Sequence, residues 1–173
     1  AYGDEIGIEL TDMVIALIIT QFVGIPFSFA FGALAKRLKA KRSILLALIV
    51  YTLISIAGYF MQTATHFYIL AFMVGTVQGG SQALSRSLYG AMVPKSQTAE
   101  FFGFYSTSSK IAGVLGPLLF GVVSQIAGES RLSILSLIIF FLVGGLLLMR
   151  VDVEEGIRVA REEDAKVGWT PAS

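Results

Sequence analysis

Gln78, Ser81, Gln82, Ser85 and Arg86 lie close together in a glycine-rich run, Gly75 to Pro94, inside a long apolar segment. Glutamine amides both donate and accept hydrogen bonds, hydroxyls do the same, and the guanidinium keeps its charge in nearly any surroundings. Such groups can hold a polar solute or bond a neighbouring helix. On a helix, Gln78, Gln82, Ser85 or Arg86, and Tyr89 share a face, because residues three and four apart are neighbours. Gly75, Gly79 and Gly80 present almost no side chain, so a second helix can approach closely there. If lipid surrounds this helix, the polar stripe must face protein or water.

A second polar set is Ser106, Ser109, Lys110, Gly113 and Pro117, again on one helical face. An ammonium within a membrane span needs a counter-charge or a wet cavity.

Other chemistry is excluded by what the chain lacks. It has no cysteine and one histidine, His66, so disulfides, thiol chemistry and Cys or His metal clusters are ruled out, and no cofactor or metal is expected. No nucleophile, base and orienting group can be assembled, so the chain is not expected to be an enzyme. Gly79-Gly80 is followed by Ser-Gln, without the Gly-Lys-Ser/Thr ending of a phosphate loop, which excludes nucleotide-driven pumping by this chain.

The chain is 55% hydrophobic and 14% charged over 173 residues. Soluble domains carry about a quarter charged residues, so the balance points to a membrane protein. Ala1 to Asp12 hold four acids and no basic region, so no signal peptide is read there. Without an initiating Met, the chain is expected to be part of a longer one. The expected fold class is all-α, a polytopic membrane helix bundle. Its five spans lie at about 13–35, 43–62, 67–92, 101–127 and 132–149 of a half-bundle over residues 1–150. Each has roughly the length needed to cross a hydrocarbon core of about 30 Å. A soluble five-helix bundle is the alternative, but amphipathic surface helices carry a charged face, and the first, second and fifth segments have none.

The connectors orient the bundle. Residues 36–42 carry five positive charges in seven, whereas the other links are neutral or balanced. The positive-inside rule makes that link cytoplasmic. The acids Asp4, Glu5, Glu9 and Asp12 are then outside, and residues 151–173 form a solvated cytoplasmic tail with a short amphipathic helix around Glu154 to Glu163. All links are short, so consecutive spans are expected to be antiparallel neighbours. The basic link is read as a topology determinant touching anionic lipid, and no nucleic-acid partner is expected.

Depth sorts the candidates. Gln78, Ser81 and Gln82 lie within about 3 Å of the middle of the third span, and Arg86 about 9 Å further along. Arg86 is either a snorkelling interfacial anchor or a group at the mouth of a pathway. Gln78 and Gln82 either bond neighbouring helices or line a cavity. Lys110 lies about 6 Å from the middle of the fourth span. If residues 97–108 instead form an interfacial helix, it sits at the headgroups. No Asp or Glu occurs in the five spans, so a proton-carrying acid would lie elsewhere.

Three stretches resemble the major facilitator superfamily. In the first, Gly32, Arg37, Lys41 and Arg42 match the family's cytoplasmic loop signature between two spans. Lys36 stands where that signature has Asp, and Lys39 where it has its second Gly, as in the weaker copy of C-terminal halves. The second, Gly113 to Gly121 with Gly116 and Pro117, is similar to the Gly-Pro signature of the fifth and eleventh helices. The third, Gln78 to Ser87 with Phe101 to Tyr105, is most similar to the vacuole-effluxer, autophagy-related branch. The resemblance implies a twelve-helix protein of which this chain holds helices eight to twelve, with Ala1 to Gly3 ending helix seven. It implies a partner half-bundle, no cofactor, and a small-molecule solute, with efflux of amino acids foremost. Exporters of drugs, sugars or nucleosides, and a non-transporting scaffold or sensor, are the alternatives. The location implied is the bacterial inner membrane, or the vacuolar membrane in a eukaryote. The expected pathway residues are Gln78, Ser81, Gln82, Arg86, Ser106 and Lys110, with Gly75, Gly79, Gly113, Gly116, Pro117 and Gly121 as packing positions.

Overall fold

The computed structural model describes residues 9–127 and 130–169. The expected end of a preceding helix at Ala1 to Gly3, the acids Asp4 and Glu5, and the link at Gly128-Glu129 lie outside the described residues. Among the described residues six α-helices follow one another: α1 Leu10–Leu38, α2 Ala40–Tyr59, α3 Ala64–Ala91, α4 Thr98–Ala127, α5 Ser130–Arg150 and α6 Val153–Lys166. A single 3-10 turn, Lys95–Gln97, precedes α4. The fold is thus an all-α helix bundle.

Local chemistry explains the breaks. Glu9 donates its backbone N–H to Asp12 at 3.3 Å as α1 begins, and the Thr63 hydroxyl accepts from the His66 N–H at 3.3 Å as α3 begins. Asp152 accepts from the N–H groups of Glu154 and Glu155 and starts α6. Pro94 has no N–H to continue α3.

Leu10–Leu38, Ala40–Tyr59 and Lys95–Ile126 are long and apolar enough to cross a membrane. α3 falls short because Gln78, Ser81, Gln82, Ser85, Arg86 and Ser87 dilute its apolar residues. The described part of α5 qualifies only together with α6, from which it bends by 60°. α6 itself has eight charged residues among fourteen. Large apolar side chains on the bundle exterior, such as Phe22 and Phe29 at 70% and 76% exposure, suit a lipid surround. α4 runs unbroken from Thr98 past residue 108, so the separate interfacial helix considered over 97–108 does not form.

The order of neighbours differs from the expected one. α1 packs chiefly on α3, which runs parallel to it, rather than on α2. The contacts climb together, Asp12 with Tyr68, Thr20 with Ala71, and Gly24 with Gly79. α3 then packs on α2, α2 on α5, and α5 on α4. Glycine decides this. A Cβ on Gly75 would lie 2.8 Å from the Thr20 carbonyl oxygen, and one on Gly79 2.7 Å from that of Gly24. The backbones therefore touch, and Thr20 adds a hydrogen bond across the seam to the Ala71 carbonyl at 3.1 Å. The core lies among α1, α2 and α3, around Ala47, Ile54 and Val77, with Ile44, Leu84 and Leu88 nearer the link at residue 39.

The tail helix is docked along one face and exposed along the other. Gly156 lets α6 approach Met92, and Ala160 is buried. Lys39 pairs with Glu154 at 3.1 Å, and Asp164 accepts from the N–H groups of Lys95 and Ser96 at 2.8 and 2.9 Å.

Candidate functional site

The seam between α1 and α3 opens on one side into a cleft of about 260 Å³, lined by Thr20, Gln21, Gly24, Ile25, Ser28, Gln78, Gly79 and Gln82. The same glycines that bring the backbones together leave this space. It sits at mid-height. The midpoint of α1 is residue 24, and that of α3 falls between residues 77 and 78. Gln78 is half-buried, while Gln21 and Gln82 are exposed along the cleft. Among the described residues, none of these three amides makes a hydrogen bond, so of the two readings of Gln78 and Gln82 the interhelical bonds are not formed here, and both side chains line a cavity. The Ser28 hydroxyl is turned onto its own helix, donating to the Ile25 carbonyl at 2.7 Å. The cleft therefore presents three amides, each a donor and an acceptor, and no charge. It can hold a small polar molecule through hydrogen bonds.

Gln21 was not singled out from sequence. Its signal is present, since it is the only amide side chain in residues 13–35. Ser81, by contrast, does not line the cleft. Its hydroxyl donates to the Gln78 carbonyl at 3.1 Å, and its side chain meets the Tyr51 hydroxyl of α2.

Arg86 lies nearer the end of α3, with its guanidinium carbon 5.4 Å from the centre of the Phe102 ring. Phe102, Tyr89 and Tyr105 pack as a cluster, with ring centres 4.9 to 6.1 Å apart. The Tyr89 hydroxyl donates to the Phe101 carbonyl at 2.9 Å. Arg86 and these rings make the seam where α3 hands over to α4. An exposed cation over a ring of this kind contributes about 0.5–1 kcal/mol.

Ser106 and Lys110 are exposed on α4 and are not brought to the cleft. α4 meets α3 at the linked end and otherwise packs on α5. Lys110 lies about 4 Å from the middle of α4, and among the described residues it has no ion-pair partner. Gly113, Gly116 and Gly121 have nothing within 4 Å of a built Cβ, so the packing expected of them is not made among the described residues, and Pro117 is exposed. The reason is that, beyond the aromatic cluster at its start, α4 leans on the bundle chiefly along α5.

The loop signature divides likewise. The Lys41 ammonium donates to the carbonyls of Met149 and Val151 at 3.0 and 2.8 Å, closing the end of α5. Arg37 and Arg42 are exposed, and Gly32 has no neighbour within 4 Å of a built Cβ. Lys39, at the signature's second Gly, has φ 67 and ψ 150, a backbone conformation that side chains resist.

Asp164 is held below the usual carboxylate range, first by the Ser96 N–H and then by Lys95. Glu155 is lowered by the Arg158 guanidinium that bonds it.

An uncharacterized transporter of the major facilitator type, YxiO of Bacillus subtilis, is 40% identical over 164 residues, covering 95% of this chain and 38% of its own length. Autophagy-related protein 22-1 of Aspergillus niger is 26% identical over 171 residues, covering 90% of this chain and 28% of its own. The chain thus spans well under half the length of these relatives. No solved structure matches it. The family model described as vacuole effluxer Atg22 like matches residues 3–161, and the chain belongs to that family.

Proposed function

We propose that this bundle is one side of a solute pathway in a secondary transporter that moves a small polar metabolite, foremost an amino acid, outward by alternating access. The carrying observation is the set of three amides without hydrogen-bond partners at mid-height in the α1–α3 cleft. In an apolar surround an unsatisfied amide is costly, so these groups are expected to meet water, solute or another part of the protein. Transporters of this architecture bind their solutes near the bilayer midplane between two half-bundles. In the proposal, the second half-bundle lies outside this chain, α1 to α5 are all spans, and the end bearing residues 36–42 faces the cytoplasm. Lys110, the one lysine near mid-height, supplies the positive charge that a carboxylate solute needs, and Arg86 with Phe102 stands at the pathway's cytoplasmic mouth. Ser106 borders the same face of α4.

The test is flux of labelled amino acids through vesicles carrying the intact protein. Gln82→Ala is expected to lower the initial rate roughly five- to thirtyfold, as loss of one or two hydrogen bonds of about 1 kcal/mol each would. Lys110→Ala is expected to abolish preference for carboxylate-bearing solutes. Unchanged flux with normal expression in both variants would sink the proposal.

A further inference from the structure

A larger cleft, of about 860 Å³, lies at the end of the bundle that bears residue 39, where α2 begins, α5 ends and α6 turns away. Its floor is apolar, made by Leu45, Leu88, Met149 and Ile157. Its rim is charged, and most of those charges are engaged. Lys39 pairs with Glu154, Lys41 caps the carbonyls at the end of α5, and Asp152 holds the first N–H groups of α6. Arg42 and Arg150 line the cleft as well, are exposed, and have no partner among the described residues. Two free guanidiniums thus stand over an apolar trough where the apolar helices give way to charged segments. That is the level of lipid headgroups.

We propose that this cleft binds an anionic phospholipid of the bilayer, with Arg42 and Arg150 on the headgroup phosphate and the acyl chains along the Leu45–Met149 floor. Guanidinium forks match phosphate oxygens in geometry and charge. The apolar floor explains why a lipid, rather than free phosphate, is the occupant, since phosphate alone would leave most of the trough in water. By tying α2 to the α5–α6 turn, the lipid would fix the angle at which α6 leaves the bundle.

Native mass spectrometry of the intact protein, with phosphatidylglycerol or phosphatidylcholine added in detergent, tests this. Phosphatidylglycerol is expected to be retained in clear preference to phosphatidylcholine. Replacing both guanidiniums, Arg42→Gln with Arg150→Gln, is expected to weaken its retention by roughly tenfold or more, given about 1 kcal/mol per cation at an anionic lipid. Arg42→Lys with Arg150→Lys keeps the charges and should keep most of the retention, which separates lost binding from lost folding. Lys36→Gln with Arg37→Gln removes equal charge from the same end of the bundle, off the cleft, and should change nothing. Equal retention of the two lipids would overturn the proposal. So would an unaffected Gln pair, an equal loss in the Lys36/Arg37 control, or displacement of the lipid by inorganic phosphate at matching concentration.

Discussion

Lys39 shows how a single residue can be visible in sequence without its meaning being visible. It occupies a position where the loop signature has glycine. The backbone there, at φ 67 and ψ 150, is a region populated almost only by glycine. Lysine keeps an ion pair with Glu154, but the two side chains are 78% and 85% exposed, and pairs so exposed contribute little. Lys39→Gly is therefore expected to stabilise the intact protein by about 1 kcal/mol, within the range such strain costs. Thermal unfolding in detergent reads this, and a lowered midpoint would show that Lys39 is held for its charge. Gln78 and Gln82 were legible because amides stand out in an apolar run. Ser81 belongs to the same run yet faces Tyr51, which no spacing rule could reveal without knowing where α2 lies. Lys110 was legible as a charge at mid-height, but not which neighbour it lacks.

At the scale of elements, the helices were readable from their apolar lengths, and their pairing was not. Short links suggested a simple antiparallel succession. The backbone contact of Gly75 and Gly79 with α1 instead selects the parallel pair α1–α3. Gly79→Ala must push a Cβ to within 2.7 Å of the Gly24 carbonyl oxygen, whereas Gly145→Ala, in the α2–α5 contact, meets only Leu48 at 3.7 Å. The first is expected to cost about 1–3 kcal/mol and to deform the polar cleft, the second nothing measurable. Equal thermal midpoints for the two variants would refute close backbone packing along this seam. α6 was expected as a helix but not as a brace, because its docking rests on backbone amides that a sequence cannot place. Asp164 holds the turn before α4 through the N–H groups of Lys95 and Ser96 and through the Ser96 hydroxyl at 2.8 Å. Its carboxylate is depressed in the folded state, so its stabilising effect is full above the unfolded carboxylate value of about 4 and is lost as pH falls through the folded value. Asp164→Ala is expected to speed hydrogen exchange in the Lys95–Gln97 turn at neutral pH. Protection equal to that of the parent protein would mean that Asp164 does not hold the turn.

For the whole molecule, the distribution of polarity carries the functional meaning. Apolar side chains cover the outside, charges gather at the end bearing residue 39 and on α6, and uncharged amides occupy the middle of the α1–α3 seam. Ser106, Lys110, Gly113, Gly116 and Gly121 lie on an open face of α4, which in the proposal borders the second half-bundle. Membership of the Atg22-like family fits that distribution. Solute-protected thiol labelling of the intact protein tests the proposed pathway most directly. A water-soluble maleimide is expected to modify Gln82→Cys, in a background without other reactive thiols, and transported amino acid is expected to slow that reaction. Phe29→Cys, on the apolar exterior, should stay unreactive. An unreactive Gln82→Cys, or one whose labelling the solute leaves unchanged, would contradict a solute pathway between α1 and α3.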